Sequence, residues 1–227
     1  TVTGGAGDAD TIQIAGAITF AANDTMATRL VTVEKLAVAS QTTQNAHSID
    51  INSDTKLGTI RTIDLSADTN ASTTGNVDLT GVTVATTITG AKSNTLIGGA
   101  GADTITGGAG LDTLTGAAGN DVFVYNSSAD HSGNGERITG GDNTDVLLVY
   151  GGTTAIDFSN DTLATLETLE LEDNLAGDVE NKNQSVKMTA AQVDGFTTIN
   201  ASETAGDKII LSDASTASML DNTVINN

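Results

Sequence analysis

Apolar residues recur along the chain in short alternations with a period of two: Val31 and Val33, Leu36 and Val38, Ile49 and Ile51, Ile63 and Leu65, Val77 and Leu79, Val82 and Val84. Clusters of Thr, Ser, Asn, Asp and Gly separate them. Strands this short at such spacing predict an all-β chain. Two segments, near residues 27–29 and 189–193, predict brief helices, neither long enough to stand alone.

A second pattern overlies the first. Residues 98–106 read GGAGADTIT, 107–115 read GGAGLDTLT and 116–124 read GAAGNDVFV, three nonapeptides in tandem. The frame also extends backwards, because TGAKSNTLI at 89–97 keeps Gly90 and Leu96 and carries Asn94 where the others carry Asp. Each unit fits G-G-x-G-x-D-x-U-x, with U apolar. Glycines allow a tight turn whose carbonyls converge, the Asp supplies a carboxylate, and x-U-x forms a very short strand that points one side chain inward. Two units make a coil of 18 residues, so units n and n+2 stack about 4.8 Å apart. Asp103 and Asp121 then face one another across one gap. Asn94 and Asp112 do so on the opposite side, in a row that Asp130 extends.

These nonapeptides resemble the RTX (repeat-in-toxin) family, whose arrays form calcium-bound parallel β-rolls. The resemblance implies that turn carbonyls and paired aspartates from facing turns hold Ca2+. One such site would use Gly98, Ala100, Asp103, Ala117, Gly119 and Asp121. A second would use Thr89, Ala91, Asn94, Gly108, Gly110 and Asp112. Lys92 replaces a turn glycine there and Asn94 replaces an aspartate, so that site is expected to be weak or absent.

A longer period of about 136 residues is superimposed. Asn23-Asp24-Thr25 returns as Asn160-Asp161-Thr162, Val33-Glu34-Lys35-Leu36 as Leu166-Glu167-Thr168-Leu169, and Thr62-Ile63-Asp64 as Thr198-Ile199-Asn200. Each long module opens on a degenerate calcium turn. The first, at 4–12, leads from Gly4-Gly5 to Asp10; the second, at 136–148, contains Gly140-Gly141 and Asp145, with Glu136 nine residues before Asp145. The expected organisation is a first solenoid module at 1–88, the nonapeptide β-roll at 89–130 and a second module at 131–227. With calcium rolls between them, a continuous parallel β-solenoid is favoured over a sandwich.

Charge sharpens the picture. Lys and Arg number 9 against 29 Asp and Glu, a net charge of −20, with no Cys, Pro or Trp in 227 residues. A phosphate backbone would be repelled, which argues against nucleic-acid binding. No apolar run reaches the roughly 18 to 20 residues of a membrane-spanning helix. Without cysteines rigidity cannot come from disulfides, and bound cations would offset the self-repulsion of the acids. The chain opens at Thr1 with neither Met nor an apolar leader, and reads as an excerpt of a longer polypeptide.

No catalytic constellation emerges, and the segment is expected not to be an enzyme. His47 and His131 lack H-E-x-x-H spacing, no G-x-S-x-G elbow is present, and no third glycine or G-K-[ST] completes a nucleotide-binding loop. Asp50, Asn52 and Asp54 begin like an EF-hand loop, but Thr55 and Arg61 stand at its sixth and twelfth positions, where Gly and Glu belong. The T-x-T pairs Thr104/Thr106 and Thr113/Thr115 break at Val122 and Val124, so ordinary strand propensity accounts for them.

The repetition, the polar composition and the E-x-L segments resemble RTX-type S-layer proteins. The expected function is therefore structural: a calcium-dependent module of a bacterial surface protein that assembles with copies of itself into a surface layer or extracellular filament, anchored at the cell through a surface glycan. The resemblance implies type I secretion of an unfolded chain and folding in external calcium. Two alternatives are a spacer in an RTX adhesin or biofilm matrix protein, and the C-terminal calcium roll of a secreted enzyme or toxin.

Overall fold

The computed structural model describes residues 2–3, 11–14, 30–31, 33–38, 47–51, 59–68, 75–131, 135–150, 154–172, 184–201, 207–213 and 224–226. The central strands have three to six residues, most with one or two side chains turned inward, as in Thr104–Thr106 (intermediate, buried, intermediate) and Val122–Tyr125. Such a strand buries too little to stand alone. Stacking successive coils lines the inward residues into one continuous core.

All strand pairing among the described residues is parallel. One sheet has ten strands, in the order Thr11–Ile14, Lys35–Val38, Thr62–Asp64, Thr87–Thr89, Thr104–Thr106, Val122–Tyr125, Val146–Tyr150, Thr168–Glu172, Thr198–Ala201 and Val224–Asn226. A second has six: His47–Asp50, Gly75–Asp78, Asn94–Ile97, Thr113–Ala118, Arg137–Asp142 and Thr162–Ala164. Through the middle of the chain, consecutive strands alternate between these two sheets. The chain is thus a parallel β-solenoid, and its ten-stranded sheet runs through all three segments distinguished in the sequence. Ile156–Asp157, Ser185–Met188 and Lys208–Leu211 form a three-stranded sheet, and Val2–Thr3 pairs with Leu30–Val31.

The core follows from register. Ile63, Ile88, Ile105, Phe123, Leu147, Leu169 and Ile199 occupy one register position of the long sheet, and all are buried. Ile49, Val77, Leu96, Leu114 and Ile138 form the opposing stack. Burying each such side chain contributes about 1.5–3 kcal/mol.

Within the nonapeptides the coil is 18 residues: Asp103 bonds to Asp121 across that separation, and Asn94 to Asp112. The next coil is longer, with 24 residues between Asp121 and Asp145. The extra residues include a 3-10 turn at Ser128–Asp130 and His131, which packs against Tyr125 and Phe158. The long period also has a structural counterpart. The Glu34 carbonyl accepts the amides of Arg61 and Thr62, and the Glu167 carbonyl accepts those of Thr197 and Thr198.

The helix near 189–193 is a single turn, Ala190–Asp194, closed by a capping box between Thr189 and Gln192. The segment at 27–29 lies outside the described residues. Among the described residues no helix is long and apolar enough to cross a membrane.

Candidate metal centre

Each short strand of the long sheet is preceded by a residue at the mouth of the turn. In register these are Thr86, Asp103, Asp121, Asp145 and Glu167, one per coil. The amide of each donates to the carboxylate of the next: Thr86 to Asp103 Oδ1 (2.7 Å), Asp103 to Asp121 Oδ1 (2.7 Å), Asp121 to Asp145 Oδ1 (2.8 Å) and Asp145 to Glu167 Oε2 (2.8 Å). A second row stands at the entrances of the strands of the six-stranded sheet: Asn94, which opens its strand, and Asp112, Glu136 and Asp161, which precede theirs. There the Asn94 amide donates to Asp112 Oδ1 (2.7 Å) and the Glu136 amide to Asp161 Oδ1 (2.9 Å).

One oxygen of each of these carboxylates thus braces the neighbouring coil, except at Glu136, whose Oε2 accepts the Tyr125 hydroxyl. The other is the chemically informative one. Oδ2 of Asp112, Asp121 and Asp145 is buried and accepts no hydrogen bond. A buried carboxylate oxygen left so costs several kcal/mol unless it is protonated or meets a cation. Burial is the first cause that pushes Asp112 and Asp121 up to about 7, with Glu136 acting on the former and Asp103 and Asp145 on the latter; the Asp103 and Asp145 carboxyls are raised too, again mainly by burial.

The glycines show what faces these oxygens. A Cβ on Gly98 would stand 2.5 Å from Asp103 Oδ2 and 2.6 Å from the Gly116 carbonyl. One on Gly116 would strike Asp121 Oδ2 and stand 2.7 Å from the Gly140 carbonyl, and one on Gly140 would strike Asp145 Oδ2 and the Thr165 carbonyl. In each turn a carboxylate oxygen and a carbonyl oxygen from the next coil therefore converge on one glycine. Hard oxygen donors of this kind, part carboxylate and part main-chain carbonyl, suit Ca2+. Among the described residues no three His, Cys, Asp or Glu side chains gather into a metal-binding group. The donor set depends instead on the backbone, and the residues present fit the ion.

Residues 88–123 match the family model of the RTX calcium-binding nonapeptide repeat, in four copies. The chain carries an RTX calcium-binding array. RTX nonapeptide repeats bind calcium ions. Neither a curated protein nor a solved structure matches the chain.

The RTX turns hold the residues singled out by the sequence as follows. Asp103 and Asp121 lie on adjacent coils, as do Asn94 and Asp112. Gly98 lies against the Asp103 carboxylate, while the Ala100 amide donates to the Val82 carbonyl of the preceding coil (2.6 Å). Ala117 (φ 86°) and Gly119 (φ 121°) take left-handed backbone, as do Gly108 (φ 83°) and Gly110 (φ 116°). Gly110 could not be replaced cheaply, since a Cβ there would also run into the Lys92–Ser93 backbone.

Asp130 departs from the expected row. Because the coil after Asp112 is longer than 18 residues, the position beside Asp112 falls to Glu136. Asp130 instead ends the 3-10 turn, where its Oδ2 accepts the Asn126 amide (2.8 Å). Glu136 and Asp145 consequently belong to opposite rows. Asp10 lies outside the described residues.

Three positions along the two rows escaped sequence reasoning. Glu167 and the Thr165 carbonyl complete the coil beyond Asp145, although A-T-L-E-T carries no glycine. The signal available was position: Glu167 stands immediately before its strand, where Asp103 and Asp121 stand before theirs. Asp161 ends the second row and pairs with His131 Nε2 at 2.6 Å.

Proposed function

We propose that this chain is a calcium-stiffened structural module of a secreted bacterial surface protein, joining copies of itself into a surface layer or extracellular filament. Proteins with these repeats are typically secreted and extracellular. The observation that carries the proposal is the row Asp103, Asp121 and Asp145, whose buried carboxylates brace each coil to the next and converge with turn carbonyls. Calcium there would convert mutual repulsion among acids into rigidity and couple folding to the external medium.

The module is non-catalytic in this reading: His131 is engaged with Asp161 in the interior, and His47 opens the strand His47–Asp50. Assembly would use the outermost strands of the long sheet, Thr11–Ile14 and Val224–Asn226, each of which pairs on one side among the described residues. A surface glycan is the proposed anchor.

Calcium titration followed by circular dichroism and negative-stain imaging tests this. Sheets or fibres appearing with calcium are the expected result. Dispersed rods would favour a spacer of an adhesin or matrix protein instead. An identical β-rich spectrum and melting point in chelator and in excess calcium would overturn the calcium-dependent reading.

A further inference from the structure

Asn94 occupies in its turn the place that Asp103, Asp121 and Asp145 occupy in theirs, and its backbone makes the same cross-coil bond, to Asp112 Oδ1. The difference lies in the second side-chain atom. At Gly98, Gly116 and Gly140 the glycine faces two oxygens, a carboxylate Oδ2 and a carbonyl of the next coil. At Gly116 and Gly140 the Oδ2 accepts no hydrogen bond, so either a cation or a proton on the carboxyl must hold the two oxygens together, whereas at Gly98 the Asp103 Oδ2 also accepts the Gly99 amide (2.8 Å). At Gly90 the equivalent carbonyl belongs to Gly107, and the equivalent side-chain atom is Asn94 Nδ2, 2.5 Å from where a Gly90 Cβ would stand. This nitrogen donates to the Gly107 carbonyl at 3.0 Å and to the Lys92 carbonyl. Asn94 is only 6% exposed, so these bonds are shielded from water.

We infer that the Asn94 side-chain amide is a built-in replacement for a calcium ion, closing the gap between the Gly90 and Gly107 turns by hydrogen bonds and leaving that gap metal-free. The inference rests on the calcium reading of the neighbouring turns. Its physical content is a substitution of kind: an oxygen–cation–oxygen bridge becomes N–H···O, with one negative charge fewer beside the buried Asp112. The rung at Asn94 is then locked at any calcium concentration, and the aspartate coils that follow have a preformed edge on which to fold. In this way the array begins on a coil that does not need the ion the others need.

The competing arrangement is an amide turned by 180°, which would set Asn94 Oδ1 against the Gly107 and Lys92 carbonyls and make it a neutral calcium ligand. Calcium bound per chain at saturation, measured by equilibrium dialysis on the full 227-residue chain, separates the two. Asn94→Asp is expected to bind one more ion than wild type and to lose more of its thermal stability in chelator. Asp121→Asn, the reverse exchange, is expected to bind fewer ions than wild type while keeping its β signal. An unchanged stoichiometry in Asn94→Asp, or anomalous scattering from an ion beside Asn94 in wild type, would overturn the inference alone. A wild-type chain that binds no calcium would overturn the calcium reading and this inference with it.

Discussion

The amide of Asp103 donates to Asp121 Oδ1 at 2.7 Å, while Oδ2 of Asp121 accepts nothing. One carboxylate thus does two jobs, bracing the coil before it and presenting a bare charge to the turn. The bracing persists without metal, whereas the bare charge does not favour folding without it. Calcium bound only by the folded chain stabilises it by about 2.7 kcal/mol per site at a hundredfold excess over Kd, equivalent to roughly 5–10 °C in Tm for a chain of this size. Excess chelator is therefore expected to lower Tm by about that much for each occupied site, and calorimetry with and without chelator checks it.

The pH dependence of the metal-free chain should run opposite to that of the calcium form. Asp112 and Asp121 rise from 3.8 to about 7 in the fold, chiefly through burial. Between those values the folded chain keeps protons that the unfolded chain releases, so their contribution is complete below 3.8 and lost as pH climbs through about 7. In chelator, Tm is expected to fall between about pH 5 and about pH 7.5. Calcium requires the deprotonated carboxylates, so its stabilising increment grows over the same interval. Melting curves at both values, with and without calcium, test the crossing; a chelated Tm that rises with pH contradicts it.

The end of the second row makes a different prediction. His131 Nε2 lies 2.6 Å from Asp161 Oδ2, with the two side chains 4% and 0% exposed, inside a group formed with Tyr125 and Phe158. Burial alone would lower the His131 pKa, but the Asp161 bond and the charges of Glu136, Asp161 and Asp157 outweigh it, and the net shift is upward. The stability this pair contributes is complete below 6.5 and is lost as pH rises through the elevated value. Truncating the imidazole in His131→Ala leaves a buried Asp161 carboxylate held, among the described residues, by the Gly135 and Glu136 amides. A cost of about 3 kcal/mol is expected near pH 6. A double-mutant cycle with Asp161→Asn, read by urea unfolding in calcium, isolates the pair; coupling within about 0.5 kcal/mol of zero would contradict it.

Much of this was legible in the chain because nine divides its middle evenly. Ile105, Leu114 and Phe123 recur at that interval, and all three are fully buried. The fixed 18-residue coil likewise put Asp103 beside Asp121. Legibility failed where coil length changed. An inserted stretch between 126 and 136 moves the second row from Asp130 to Glu136, and nothing in local composition counts coil residues for a reader. Glu167 was invisible for another reason: with no glycine before it, A-T-L-E-T looks like an ordinary strand entrance, and only its register beside Asp145 reveals its place. The role of Asn94 was half legible. Its identity marked a weaker site, but which way its amide points is set by the Gly107 carbonyl in the following turn.

Gly116 offers the most direct test of the convergence that defines the site. A methyl group there would strike the Asp121 carboxylate and stand 2.7 Å from the Gly140 carbonyl, the two oxygens that face each other across the gap. Gly116 is not among the glycines with positive φ, so its replacement by alanine brings no left-handed strain of its own. What Gly116→Ala removes is space. Forcing atoms into a packed site typically costs about 1–3 kcal/mol, and here the displaced atoms are donors, so the loss is expected mainly in the calcium-bound form. The variant should retain most of its chelator-state Tm while giving up the increment that calcium adds at this gap. Gly135→Ala serves as a comparison, because its Cβ would meet nothing within 4 Å although its φ of 102° imposes strain. That variant should lower Tm by similar amounts with and without calcium. Equal losses in both states for Gly116→Ala would mean that the Gly116–Asp121–Gly140 convergence packs the coil without holding an ion.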